Sequence, residues 1–127
     1  MKKTVLLLFV VVAAFVSSGA AKKAPDPCSN PQTTLEMREC EAKMLKEADA
    51  SLNKVYKQLI SLIGDKAQKD RLKAAEQAWL KYRDAHCAFM AGFYEGGTME
   101  AQTYTACLRE MTEKRTSELQ EALNQMN

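Results

Sequence analysis

The chain has 127 residues, with 18 Lys and Arg against 16 Asp and Glu, and this length corresponds to one small domain. Residues 1–20 have the form of an export signal: Lys2 and Lys3, an apolar run over residues 5–16, and small residues up to Ala20. A helix that spans a bilayer needs about 20 apolar residues, so the run is too short to remain as an anchor. We therefore expect an exported protein, periplasmic or secreted, with no membrane anchor.

Charge excludes two classes of partner. Without Lys2 and Lys3, 16 basic and 16 acidic residues remain of the 18 and 16 in the whole chain, so the mature chain has no net charge. Binding to nucleic acid depends on a basic surface, and binding to a membrane surface depends on a basic amphipathic helix. Neither pattern is present, so the sequence predicts neither kind of partner.

Four cysteines remain in the mature chain, at Cys28, Cys40, Cys87 and Cys107. An even number in an exported protein predicts two disulfides, whereas a zinc site would normally contain a closely spaced pair such as C-x-x-C. Three pairings are open on the sequence alone. The two shortest closures, Cys28 with Cys40 and Cys87 with Cys107, are the favoured pairing, and a Cys40 to Cys87 bond is the rival.

The mature chain divides into an extended leader, residues 21–33, and a helical domain, residues 34–127. Three prolines exclude regular structure from the leader. Thr33 and Glu36 have the spacing of a capping box, and the next residues, up to Ile63, contain neither Gly nor Pro. They predict a first helix whose apolar stripe is Leu45, Ala48, Leu52, Val55, Leu59 and Leu62.

Two further helices follow. Gly64 is predicted to take a left-handed conformation and Asp65 to cap a helix from Lys66 to about Met90. The short link predicts an antiparallel hairpin with the first helix. A loop from Gly92 to Thr98 precedes a third helix that ends near residue 125, so the fold class is an all-α, three-helix antiparallel bundle stapled by two disulfides. The predicted inward residues of the two later helices are Leu72, Ala75, Trp79, Tyr82, His86 and Met90, then Tyr104, Leu108, Met111, Leu119, Ala122 and Met126.

An ordered set of residues resembles a known family. The set comprises Glu36-Met37 with Cys40, Ala48-Asp49 with Leu52-Asn53 and Tyr56, Trp79-Leu80 with Tyr82-Arg83-Asp84 and Cys87, Gly96-Gly97, and Cys107-Leu108 with Thr112, Arg115 and Leu119. Over residues 28–119 the chain is similar to the LprI-like lysozyme-inhibitor N-terminal domain family. The resemblance implies a small helical, disulfide-bonded domain of the bacterial envelope that inhibits lysozyme. Two departures from the family are Thr98, where many relatives have Ser, and the expectation that no second domain follows Asn127, as one does in some longer relatives.

Arg83 and Arg115 fall on or beside the predicted apolar stripes, where each guanidinium needs polar partners. Asp49 is the expected partner of Arg83. Further polar residues are placed to complete a structural network around Arg83 and Arg115. They are Asn53, Glu76, Gln77 and Thr112. A ligand-binding role for this network is the alternative.

Catalysis and metal binding are not predicted. His86 is the only histidine, Asp84 faces a different side of the helix, and oxidation removes Cys87 as a nucleophile. The helical spacing of six methionines indicates core filling rather than soft-metal binding with His86. We therefore expect no cofactor, no metal and no enzymatic activity. The six are Met37, Met44, Met90, Met99, Met111 and Met126.

The function predicted from these observations is binding of a protein partner. The resemblance implies a lysozyme, and the alternatives are a structural or chaperone-like envelope protein and a small-ligand or metal binder. The hypothetical binding edge is the glycine-rich loop, with Phe93 and Tyr94 as contact aromatics and Glu95 and Glu100 complementing a basic lysozyme. In the competing interpretation the loop is only a connector whose aromatics tuck under the helix ends. The sequence does not determine the oligomeric state.

Overall fold

The computed structural model describes Asp26 and residues 28–126, so the predicted export signal lies outside the described residues. Three helices account for most of this part: α1 Thr34–Leu62, α2 Lys66–Gly92 and α3 Met99–Met126. None of these described residues forms a strand. The prediction of an all-α, three-helix bundle with two disulfides is confirmed.

The starts of α1 and α2 are fixed by their caps. Thr33 Oγ1 accepts the Glu36 N–H at 3.2 Å, and the Glu36 carboxylate accepts the Thr33 N–H at 2.9 Å. These two bonds form the predicted capping box. Asp65 caps α2 in the predicted way, because its carboxylate accepts the Gln68 N–H at 2.8 Å.

The end of α1 differs from the prediction. Gly64 does not take the left-handed conformation, and Gly96 is the one glycine with positive φ, at 75°, among the described residues. The helix ends because Ile63 is extended, with φ −70° and ψ 116°. This extended backbone turns the Ile63 side chain into the core, where it is buried. The helix therefore ends at an extended residue with a buried side chain, and not at a left-handed glycine.

The third helix holds the bundle together. It packs closely against both α1 and α2, whereas α1 and α2 approach each other closely at few positions. The predicted hairpin of α1 and α2 is present, since Leu72 and Trp79 of α2 pack on the core, but α3 carries most of the close interhelical packing. The buried core joins the second half of α1 to the last turns of α3. Its members are Leu52, Val55, Leu59, Ile63, Leu119 and Leu123, with Tyr56, Leu72, Trp79 and Ala122 packed on them.

The inward face of α2 is also different from the predicted stripe. Leu72 and Trp79 pack on the core as expected, but Tyr82 is 59% exposed and Met90 38% exposed. The fully or largely buried positions of α2 are instead Glu76, Cys87 and Ala91. Compared with the predicted stripe, α2 is rotated about its own axis. Its ion-pairing residues and its disulfide, rather than Tyr82 and Met90, face α3.

The methionines do not fill the core as predicted. None of the six in the mature chain is buried, because two are half-buried and the other four are exposed. The core positions are taken by branched aliphatic side chains of α1 and α3. The half-buried pair is Met44 and Met111, and the exposed four are Met37, Met90, Met99 and Met126.

Both disulfides have the favoured pairing, Cys28 with Cys40 and Cys87 with Cys107. The first ties the leader to α1, and the second joins the end of α2 to α3. An ion pair of 3.0 Å links Glu41, next to Cys40, with Arg109, two residues after Cys107. The two disulfides therefore lie at the same end of the bundle.

Candidate functional site

The guanidinium of Arg83 connects all three helices. Its Nη1 donates to Thr112 Oγ1 on α3 at 3.1 Å and to Asp49 on α1 at 3.4 Å. Its Nε donates to Asp84 at 3.0 Å. The Arg83 side chain is 13% exposed, whereas that of Asp49 is 46% exposed. The expected partner is present, but the pair lies at the edge of the core rather than inside it.

A second arginine network lies further along the same interface. Arg115 Nε on α3 donates to Glu76 on α2 at 2.9 Å, and Nη1 donates to Glu118 at 2.8 Å. Burial alone would lower the pKa of Arg115, but hydrogen bonds with Glu76 and Glu118 outweigh it, so the pKa is raised. The guanidinium is therefore permanently charged. Its carboxylate partner Glu76 is 12% exposed.

Trp79 lies against both arginines. The guanidinium carbon of Arg83 is 5.3 Å from the centre of its ring, and that of Arg115 is 5.9 Å away. Both distances are within the range of cation–π contacts. The single tryptophan of the chain therefore reports on both arginine networks.

A groove of about 610 Å³ opens between α1 and α2 beside the contact of Arg83 with Asp49. Asn53 and Tyr56 line one wall, and Gln77 lines the other. The structure does not bring Asn53 or Gln77 into hydrogen bonds with the arginines. Their polar groups, like the Tyr56 hydroxyl, bond to no other described residue. The groove therefore combines free polar groups with the edge of the Arg83 network.

The loop between α2 and α3 has an ordered backbone. The Gly97 N–H donates to the Tyr94 carbonyl at 2.9 Å, and the Gly96 N–H donates to the Glu100 carboxylate at 2.9 Å. The positive φ of Gly96 requires glycine at that position. Glu100 is half-buried and holds the loop, whereas Glu95 is exposed.

The loop aromatics are open to solvent. Phe93 is 70% exposed and Tyr94 is 49% exposed, so neither tucks under a helix end. Phe93 contacts Phe89, with 5.2 Å between ring centres, and Phe89 is itself 64% exposed. These aromatics make an apolar edge beside the Cys87–Cys107 bond. Exposed aromatic groups of this kind are typical of interaction surfaces.

Other chemistry is limited in the described part of the chain. No group of three His, Cys, Asp or Glu side chains there is placed to hold a metal ion. His86 stacks on Tyr82 with ring centres 5.7 Å apart, and Cys87 is held in its disulfide. None of the three described helices is sufficiently long and apolar to cross a membrane.

The fold and the site define a class of small helical bundle with two disulfides, an arginine network between its helices and an aromatic loop at the disulfide end. The family model of the lysozyme inhibitor LprI matches residues 26–119, and the chain belongs to this family. A relative in Rhizobium meliloti (strain 1021), described as an uncharacterized protein, is 32% identical over 129 residues, and the match covers 91% of each chain. No solved structure matches.

Proposed function

We propose that this protein is exported and acts by binding a lysozyme and slowing its lytic activity, without catalysis of its own. The observation that carries the proposal is the family match over residues 26–119, which includes both disulfides, both arginine networks and the aromatic loop. The two disulfides support an oxidising compartment, the periplasm or the exterior of the cell.

The aromatic loop is the proposed contact surface. Phe93 and Tyr94 offer large apolar areas that lose few rotamers on binding, and the hydrogen bonds of the loop limit its ordering cost. Glu95 is exposed beside them and complements a basic partner. Glu100 supports the loop through Gly96 and is not part of the proposed contact.

The direct test mixes the mature protein with lysozyme and follows clearing of a peptidoglycan suspension. We expect the lysis rate to fall with increasing protein and to stay unchanged with the variant Phe93→Ala/Tyr94→Ser. A matched control is Tyr82→Ser, which removes an equally exposed aromatic outside the loop. This control should inhibit like the wild type.

Two results would contradict the proposal in different ways. An unchanged lysis rate at a large molar excess of the wild-type protein would exclude lysozyme inhibition. Inhibition that survives the loop double substitution would retain the function but move the contact surface to a helix face. Circular dichroism and melting temperatures of all variants separate loss of binding from loss of folding.

A second candidate function, binding of a small polar ligand, is favoured by the groove between α1 and α2. A concave site of about 610 Å³ that presents Asn53, Tyr56 and Gln77 has the size of ordinary small-molecule sites. Chemical-shift mapping with a library of small sugars and peptides tests it. Shifts confined to these three side chains would support the candidate, and a library without any such shift would oppose it.

A further inference from the structure

The groove between α2 and α3 contains an unusual set of soft donor atoms. It has a volume of about 400 Å³, and its lining includes His86, Met90, Met99 and Met111. Met90 is 38% exposed and Met99 is 47% exposed, so neither belongs to the buried core. Exposed thioethers around the single histidine therefore call for an explanation other than packing.

Two of these donors are about one helical turn apart on α2, and a third lines the same groove from α3. His86 and Met90 are four residues apart, so they share one face of α2. The sulfur of Met111 on α3 is 3.6 Å from the Cys87 sulfur, which places it at the level of the residue that follows His86. An imidazole and two thioethers therefore line one groove at the α2–α3 interface.

Met99 belongs to the groove but not to this set. It precedes Met111 by 12 residues on α3, a separation of roughly 18 Å along a helix. Two methionine side chains cannot contact one ion across that distance. Met99 therefore lies at the loop end of the groove, beyond the three converging donors.

The state of the donors suits a metal. The ring nitrogens of His86 have no hydrogen-bond partner among the described residues, although the ring stacks on Tyr82. Methionine has three rotatable bonds, so the sulfurs of Met90 and Met111 can change position within the groove by side-chain rotation. Glu110 also lines the groove and supplies negative charge near a bound cation.

We propose that His86, Met90 and Met111 bind one soft monovalent metal ion, Cu(I) or Ag(I). Thioether and imidazole ligands select soft ions, and divalent ions such as Zn²⁺ prefer thiolate, imidazole and carboxylate. The site is separate from the proposed lysozyme contact, because it uses neither Phe93 nor Tyr94. The two proposals can therefore fail independently.

The experiment uses the mature protein with both disulfides intact and Cu(I) supplied without oxygen in competition with a chromogenic Cu(I) chelator. We expect one equivalent of Cu(I) to be withdrawn from the chelator and a tenfold excess of Zn²⁺ not to displace it. The variants His86→Ala and Met90→Leu/Met111→Leu should each weaken binding at least tenfold. Met→Leu conserves volume, so folding is expected to be retained.

Met44→Leu is the matched control. The Met44 sulfur lies 3.7 Å from Cys40 in the other disulfide, so it has the same kind of neighbour as Met111 but no histidine beside it. This variant should bind Cu(I) like the wild type. The same titration with Ag(I) should give the same order of variants.

Methyl NMR of the wild type tests the site without any substitution. Addition of Ag(I) should shift the methyl signals of Met90 and Met111 and leave those of Met44 and Met126 in place. Absence of metal transfer from the chelator would overturn the proposal. So would wild-type affinity in Met90→Leu/Met111→Leu, an equal loss in Met44→Leu, or equal shifts of all methionine methyls.

Discussion

The hydroxyl of Thr112 accepts a hydrogen bond of 3.1 Å from Arg83, and Thr112 is completely buried. A threonine in the core of the bundle thus accepts a hydrogen bond from a charged guanidinium on α2. A buried hydroxyl without a partner would destabilise the core, but this one joins α2 to α3.

Replacement of Thr112 by Val should destabilise the protein by about 1–3 kcal/mol, because it preserves the shape of the side chain and removes the acceptor from a charged donor. Chemical denaturation measures this loss.

Arg83→Lys should not restore the stability lost in Arg83→Ala, because one ammonium cannot reach the acceptors that the planar guanidinium joins. A fully stable Arg83→Lys variant would contradict the network. Fluorescence of Trp79 should change in Arg83→Ala, since its ring contacts that guanidinium.

The Glu76 and Arg115 pair should behave as a coupled unit. Glu76→Leu alone is expected to cost about 3–5 kcal/mol, because it leaves a guanidinium with little exposure next to an apolar group. The double variant Glu76→Leu/Arg115→Met should recover most of that loss. Denaturant titration of the two single variants and the double variant gives the coupling energy. Strictly additive losses would show that the pair does not interact.

The two disulfides should contribute different amounts to the stability of the folded protein. Each closes a short loop worth roughly 3 kcal/mol in the chain-entropy model. Cys87 is completely buried, so Cys87→Ala/Cys107→Ala also leaves a cavity and should destabilise the protein more than Cys28→Ala/Cys40→Ala. Melting temperatures of the two double variants measure this order of stability. A lower melting temperature for Cys28→Ala/Cys40→Ala would contradict the prediction. Thiol titration of the unfolded wild type should find no free thiol.

The start of α1 should depend on acid. Hydrogen bonds from the backbone N–H groups of Gln32 and Thr33 hold the pKa of Glu36 below its ordinary value of 4.5. A lowered folded pKa means that the contribution of Glu36 is complete above the unfolded value and is lost as the pH falls through the folded pKa. NMR titration of the Glu36 carboxyl and the Thr33 amide should follow one transition below pH 4.5.

Glu36→Gln serves as the control for this titration. The variant keeps an acceptor at the same position but has no carboxyl to titrate, so the acid transition of the Thr33 amide should disappear. An amide transition that persists in Glu36→Gln would assign the acid dependence to another group. A Glu36 transition above pH 4.5 would contradict the hydrogen bonds of the capping box.

Local features of the fold could be predicted from the sequence, whereas interhelical features could not. The capping box at Thr33 and the buried positions of α1 from Ala48 to Leu59 follow from short-range spacing. The face of α2 does not, because periodicity assigns Tyr82 and Met90 to the core, whereas both are exposed. The buried side of α2 instead carries Glu76, whose partner Arg115 lies 39 residues away in the chain.

The candidate site shows the same division. The pairing of Arg83 with Asp49 was predicted from the position of an arginine on an apolar stripe, and both disulfides followed from loop lengths. The Glu41 to Arg109 bridge was missed, because both residues resemble ordinary solvated charges on a helix. The shared groove of His86 and Met111 was missed for a related reason, since spacing within one helix carries no information about the side chains of another helix.

The position of α3 between the other two helices also determines the order in which the molecule can assemble. The first two helices are synthesised before the third, and Leu119 and Leu123 of α3 complete the core on which both of them pack. The Cys28–Cys40 bond joins neighbouring segments and can close early, while Cys87–Cys107 needs α3. The complete core therefore forms only when α3 is present, and we expect a chain truncated before α3 to be cut by proteases more readily than the full chain.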